Sequence, residues 1–313
     1  MIMRALALAV LFAVFNVKPA LAQDAANQNV LDALDKALEQ SAPANKQPAA
    51  PAPSQNPPSG KSGPSRSESA QDYIKMGEAS HEARQYSQAI EYYTMAIDKD
   101  PTDRVAYMKR LSSLIKSYQY DKAMQDANTL ISLSSNSAWS YTMRAIIKMR
   151  TGKIDDALDD LNKAVSLDKN NDYALSRRCY ALAMVGRLDQ AMADCNMAIS
   201  IDASFAETFS ARGLVWQKMG DKQKALSDCN KAIEINIKRA DVYVHRGWVL
   251  HMQGNVDAAI DDYTKALNIQ DDYALAYYQR ALALRDKGER DKASADEAKA
   301  KQIYPGVENE AFK

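Results

Sequence analysis

The chain has 313 residues, 46% of them apolar, with 40 basic side chains against 40 acidic ones. Balanced charge argues against a nucleic-acid partner, because neutralising phosphates takes a clustered excess of Lys and Arg. Length alone suggests about two domains, but a repeat in the sequence overrides that expectation.

Residues 1–22 read as a cleavable secretory signal. Met1–Arg4 is short and basic, Ala5–Val17 is apolar, and Ala20-Leu21-Ala22 fits an A-x-A cleavage site. The apolar run is too short for a bilayer, which takes about twenty residues, so no transmembrane segment is expected. Losing Arg4 and Lys18 with the leader leaves 38 basic against 40 acidic residues, a net charge of −2. No cysteine near the cleavage site offers a lipid attachment point, and no N-x-Ser/Thr sequon occurs. The expected location is a bacterial periplasm.

In residues 23–40, Val30, Leu31, Leu34, Ala37 and Leu38 share one helical face. So short a helix is marginal alone. It can dock on a partner, on the rest of the chain, or on a second copy, giving self-association through residues 28–40; the bland alternative is a fraying tether. Residues 41–69 hold seven of the ten prolines among Ser, Ala, Gln and Gly. Lacking large apolar residues, they read as a disordered linker.

The rest is periodic. Ala89, Ala123, Ala157, Ala191, Ala225, Ala259 and Ala293 recur every 34 residues, with a second column of Ala96, Leu130, Ala164, Ala198, Ala232, Ala266 and Ala300. Such a period means one supersecondary unit stacked into a solenoid. Seven units follow: 70–103, 104–137, 138–171, 172–205, 206–239, 240–273 and 274–307, with a tail at 308–313. Each unit splits into two helical stretches. In unit three, Ile154, Ala157, Leu158, Leu161, Ala164 and Val165 form the apolar stripe of the second. Gly152, Gly186, Gly220, Gly254 and Gly288 punctuate the middle, where a missing Cβ permits a left-handed C-cap. A small-residue column (Gly77, Ala145, Cys179, Gly213, Gly247, Ala281) lies beside an aromatic one (Tyr73, Tyr107, Tyr141, Phe209, Tyr243, Tyr277), with Leu175 standing in for unit four.

These columns resemble the tetratricopeptide repeat (TPR) family, whose pattern shows in unit one as Tyr73, Gly77, Ala89, Tyr93, Ala96 and Pro101. The resemblance implies an all-α, right-handed solenoid of helix-turn-helix repeats whose first helices line a concave surface. Unit two departs from the pattern: Leu111 replaces a small residue, Ala127 and Leu130 read as exchanged in size, and Tyr118 replaces the turn glycine. The last helix carries Glu297 in a column otherwise of Tyr, Leu, Cys or Ala, with Lys292, Asp296, Lys299 and Lys301 around it. A polar final helix is expected where a solenoid stops.

Little points to chemistry. Cys179, Cys195 and Cys229 occupy core columns without C-x-x-C or metal spacing and read as inert thiols, with a Cys179–Cys195 disulfide as the alternative. His245 and His251 do not share a helical face, and no Walker A loop, dinucleotide fingerprint, nucleophile elbow or H-E-x-x-H is present. No cofactor, metal or enzymatic activity is expected; an enzyme with a site composed across units is the third reading. Arg110, Arg144, Arg178, Arg212, Arg246 and Arg280 align with Asp126, Asp160, Asp194, Asp228, Asp262 and Asp296. This is read as a structural ladder of guanidinium–carboxylate pairs rather than an anion-binding ladder.

The expected binding surface is a second stripe on the first helices: Trp139, Thr142, Ile146 and Met149, then Tyr173, Tyr180 and Met184 with Ser176 between them, then Leu214, then Val244, Trp248 and Met252, then Tyr278. Tyr, Trp and Met are favoured at hot spots and adaptable surfaces. The alternative is that part of the stripe is buried between successive first helices. Some family members clamp the C-terminal carboxylate of chaperones with Lys and Asn on successive first helices; the corresponding columns here (Ile74, Glu78, Met108, Lys109, Trp139, Met143) hold no asparagine. The sequence thus predicts a non-catalytic scaffold or adaptor that binds extended protein segments in a concave groove. A structural protein of the cell envelope acting by self-association is the second reading.

Overall fold

The structure is a computed structural model and describes residues 68–309. The expected leader, the 23–40 helix, all but the last two residues of the linker, and the end of the tail lie outside the described residues.

Among the described residues the chain forms helix pairs, one per unit: α1 (Ala70–Glu82) and α2 (Tyr86–Lys99), α3 (Arg104–Lys116) and α4 (Tyr120–Leu133), α5 (Ala138–Arg150) and α6 (Ile154–Leu167), α7 (Asp172–Met184) and α8 (Leu188–Ile201), α9 (Ala206–Lys218) and α10 (Lys222–Ile235), α11 (Ala240–Met252) and α12 (Val256–Ile269), α13 (Ala274–Lys287) and α14 (Arg290–Ile303). A 3₁₀ turn, Val307–Asn309, follows. No strand occurs among the described residues. The fold is an all-α repeat solenoid.

Local chemistry sets the helix ends. Ser69 forms a capping box with Asp72, and Asp103, Ser137 and Asn171 cap α3, α5 and α7 with side-chain oxygens. Each mid-unit turn passes through a left-handed residue. At Gly186 (φ 80°) the bonds Gly186 N–H to Ala183 O and Arg187 N–H to Leu182 O close α7. Five turns use glycine there, while units one and two use Arg84 (φ 58°) and Tyr118 (φ 59°).

Both alanine columns are at most 1% exposed, so they are the seam between the helices of each stack. Across that seam, residues sixteen apart exchange volume. A Cβ on Gly77 would strike the Tyr93 ring, one on Gly247 would lie 2.7 Å from the Tyr263 ring, and one on Gly213 would lie 2.8 Å from Cys229 Sγ. In the same frame, Ala145 meets Leu161 and Leu111 meets Ala127, all four fully buried. Unit two's departure is therefore a swap between its two helices. Within its second helix the sizes of Ala127 and Leu130 are also reversed relative to Leu161 and Ala164, and both are fully buried.

Cys179 and Cys195 fill that position in unit four and form a disulfide, with Cα atoms 5.4 Å apart. The inert-thiol reading is corrected for this pair, because two thiols at facing seam positions come within bonding reach. It stands for Cys229, which is buried and has its thiol pushed up to about 12 by burial first and by the Asp228 charge second. Closing a loop of this length contributes about 2–4 kcal/mol. Reduction should therefore lower the melting temperature, and a Cys179→Ala/Cys195→Ala variant should melt low with or without reductant. Equal melting of reduced and oxidised wild type would show that the bond adds nothing.

First helices also pack on the first helix of the next unit, except between α3 and α5, whereas successive second helices do not pack on one another to that extent. Elements that crowd along one rim and splay along the other define the inside of a curve, so the first helices face inward. The curvature also brings distant units together. The Tyr118 hydroxyl donates to Asp272 O and accepts from Ala274 N–H, both at 3.2 Å and more than 150 residues away. Its ring stacks on Tyr304 at 5.3 Å, and Tyr120 meets Tyr304 edge-on at the same distance. Ala274, Ala300 and Val307 form the buried centre of this cluster. The C-terminal end is thus finished by more than a polar helix: α14 is largely exposed along its outer face, but its last turn and the segment to Val307 pack under unit two's aromatic residues.

Candidate binding surface

The arginine column pairs as a structural ladder. In all six units the guanidinium Nε and Nη2 donate to the two carboxylate oxygens of the aspartate sixteen residues on, at 2.6–2.9 Å. The remaining Nη1 reaches back to the second helix of the preceding unit, onto Thr94, Asn128, Asn162, Asn196, Asn230 or Thr264. In five units the guanidinium also lies over the aromatic ring three residues earlier, as Arg110 over Tyr107 at 5.5 Å. Each arginine therefore ties three helices together. Its donors are spent on the fold, which leaves little for an external anion.

The twelve stripe residues divide by exposure. Trp139, Thr142, Ile146, Met149, Leu214, Val244 and Trp248 are each at most 9% exposed. Tyr173, Tyr180, Met184 and Tyr278 are half-buried, and Met252 is 55% exposed. Within the stripe, the exposed apolar surface thus concentrates in units four, six and seven, and beside Tyr173 and Tyr180 lies a set of charges that the apolar stripe did not mark.

Arg177 on α7 donates to Glu207 on α9 at 3.3 Å, and Arg239 binds the same Glu207 oxygen at 2.5 Å. Arg239 also holds Asp241 through two bonds of 2.7 and 3.0 Å. Arg177 lies over the Tyr173 ring at 4.9 Å, and Tyr180 faces the His245 ring at 6.0 Å. Burial pushes the Asp241 carboxyl up, but the charge and hydrogen bonds of Arg239, with the nearby Arg177 charge adding to them, together hold the group well below the usual carboxylate range. His245 is lowered to about 4, by burial first and against the pull of Asp241, with the Arg150, Arg177 and Arg239 charges adding to burial. It is a neutral imidazole at physiological pH.

This network breaks local rules. Arg239 sits at the N-cap of α11, with no side-chain cap, where a cation opposes the helix dipole; Glu207 and Asp241 offset it. The sequence carried a signal for it: Glu207 and Asp241 interrupt a column otherwise occupied by Gln71, Val105, Trp139, Tyr173 and Leu275. The other histidines lie apart from it, His81 against Ser113 and His251 against Asp286. Among the described residues no group of His, Cys, Asp and Glu is arranged to hold a metal, and no helix is long and apolar enough to cross a membrane.

Comparison with known proteins agrees with the architecture. A family model described as tetratricopeptide repeat matches residues 140–171, and one described as TPR repeat matches residues 247–288. A tetratricopeptide repeat protein from Parabacteroides merdae ATCC 43184 superposes with a TM-score of 0.54 at 16% identity, covering 77% of this chain and 98% of that one. A chain of the APC/C hetero-tetramer Cut9–Hcn1 gives 0.56 at 17%, covering 69% of this chain and 43% of its own length. A thermophilic TPR protein of Thermus thermophilus gives 0.51 at 21%, covering 58% and 99%. At these identities the likeness is one of fold. No curated protein matches the chain. The described helices form a TPR-type solenoid, and two of its stretches match the tetratricopeptide repeat by family model. TPR repeats commonly mediate protein–protein interactions.

Proposed function

We propose that this chain is an exported, non-catalytic scaffold or adaptor that binds extended protein segments along the inward face of its first helices. The observation that carries this reading is the surface in units four to seven. There Tyr173, Tyr180, Met184, Met252 and Tyr278 keep exposed area on inward helices, Tyr173 and Tyr180 beside the Arg177–Glu207–Arg239–Asp241 network. Aromatic and Met anchors would supply affinity and the charged network specificity. The Ala20-Leu21-Ala22 site and the Cys179–Cys195 disulfide support export, since disulfides persist in oxidising compartments.

Photo-crosslinking in periplasmic extract tests the reading. A benzophenone side chain at Tyr180 or Met252 should capture discrete protein partners, and one at exposed Asp159 on α6 should not. Equal capture from both positions would move binding off the inward face.

A further inference from the structure

The two mid-unit turns without glycine are the two that face unit seven. Arg84 and Tyr118 adopt φ near +60°, where a side chain is disfavoured and the other five units use glycine. These turns, with Tyr86, Lys116, Asp272 and Ile303, border one cleft of about 400 Å³ between the first units and the last. The Asp272 charge raises Tyr86 and the Arg84 charge lowers it, both weaker than the effect of burial, so these groups lie within electrostatic reach across the cleft. Tyr118 crosses beside them, bridging the backbone at Asp272 and Ala274 and stacking on Tyr304. A residue that opposes its own turn, placed where it makes contacts 154 residues away, is explained by those contacts and not by the turn.

We propose that Tyr118, with Tyr120 and Tyr304, is a clasp that closes the solenoid by holding unit two to unit seven, and that its release opens the inward face. The second half rests on the inward face being the binding surface; the first does not. Solenoid repeats contact only their neighbours unless something ties distant units. One aromatic cluster with two backbone hydrogen bonds is small enough to open reversibly while each unit stays folded.

The test compares full-length wild type with Tyr118→Gly and Tyr304→Ala by small-angle scattering and amide exchange. Glycine suits the left-handed turn, so Tyr118→Gly keeps unit two's turn while removing the Tyr118 contacts that form the clasp. Both variants should keep wild-type helicity, gain radius of gyration and maximum dimension, and exchange amides over 303–307 at least ~10-fold faster. Unchanged scattering and exchange in Tyr118→Gly would overturn the clasp. Should Tyr304→Ala unfold the last unit, the Tyr118→Gly result alone decides. With a benzophenone at Met252, the open variant should crosslink partners more efficiently than wild type. Opening without that gain overturns the gating role. Opening with no inward-face crosslinks in either protein leaves the clasp standing and removes the proposed binding surface.

Discussion

Leu111→Ala should cost roughly 2–5 kcal/mol, since a fully buried leucine leaves a cavity that its surroundings only partly fill. Ala127→Leu should cost roughly 1–3 kcal/mol by overpacking a position with no exposed surface. Made together, the two substitutions should restore most of the stability, leaving the double variant within about 1.5 kcal/mol of wild type. The reason is that these positions share one volume. Gly77 and Tyr93, Gly247 and Tyr263, and the Cys179–Cys195 disulfide are three other ways of filling it. The double variant would give unit two the Ala/Leu arrangement of Ala145 and Leu161. Contacting residues couple by about 0.5–3 kcal/mol in such cycles. Urea melts of the four proteins measure it, and additive losses would mean that the helices do not compensate across the seam.

The period of 34 made the architecture readable because every unit repeats one packing problem, and alanine answers it at both seam columns in nearly every copy. Pairing within a unit was equally readable: six arginines faced six aspartates at constant spacing. What the arginines do between units was within reach but missed. Thr94, Asn128, Asn162, Asn196, Asn230 and Thr264 form a polar column sixteen residues before each arginine, and that column receives the third guanidinium nitrogen. The disulfide was not readable, since a buried thiol and a buried half-cystine satisfy the same column. Nor was the contact of Tyr118 with Tyr304. Periodicity specifies what neighbouring units share, whereas meeting a unit five repeats away depends on the small rotation accumulated per unit. The apolar stripe named the inward helices but not which of its residues keep surface, and it passed over Glu207, Arg239 and Asp241 because they are not apolar.

Asp262→Ala should destabilise the solenoid by about 3 kcal/mol, more than substitution of any exposed aspartate on the second helices. The Asp262 side chain is 2% exposed and accepts two bonds from Arg246, itself 21% exposed. Removing one partner of a buried pair leaves the other charge without compensation, at a cost of about 3–5 kcal/mol. The partial exposure of Arg246 places the effect at the lower end. Arg246 would also lose the geometry that holds its Nη1 on Asn230, so the damage should spread to the junction of units five and six. Replacing both partners, with Arg246→Met and Asp262→Leu, should recover part of the loss, because an apolar pair leaves no unpaired charge. Asp261→Ala, one residue away and exposed, serves as the control. Thermal melts rank the three variants. If Asp262→Ala melts with the control, the ladder is ornamental and the alanine seam alone holds the stack. If it melts lowest and the double variant lies between, each rung is a conditional brace, costly to break and cheaper to do without.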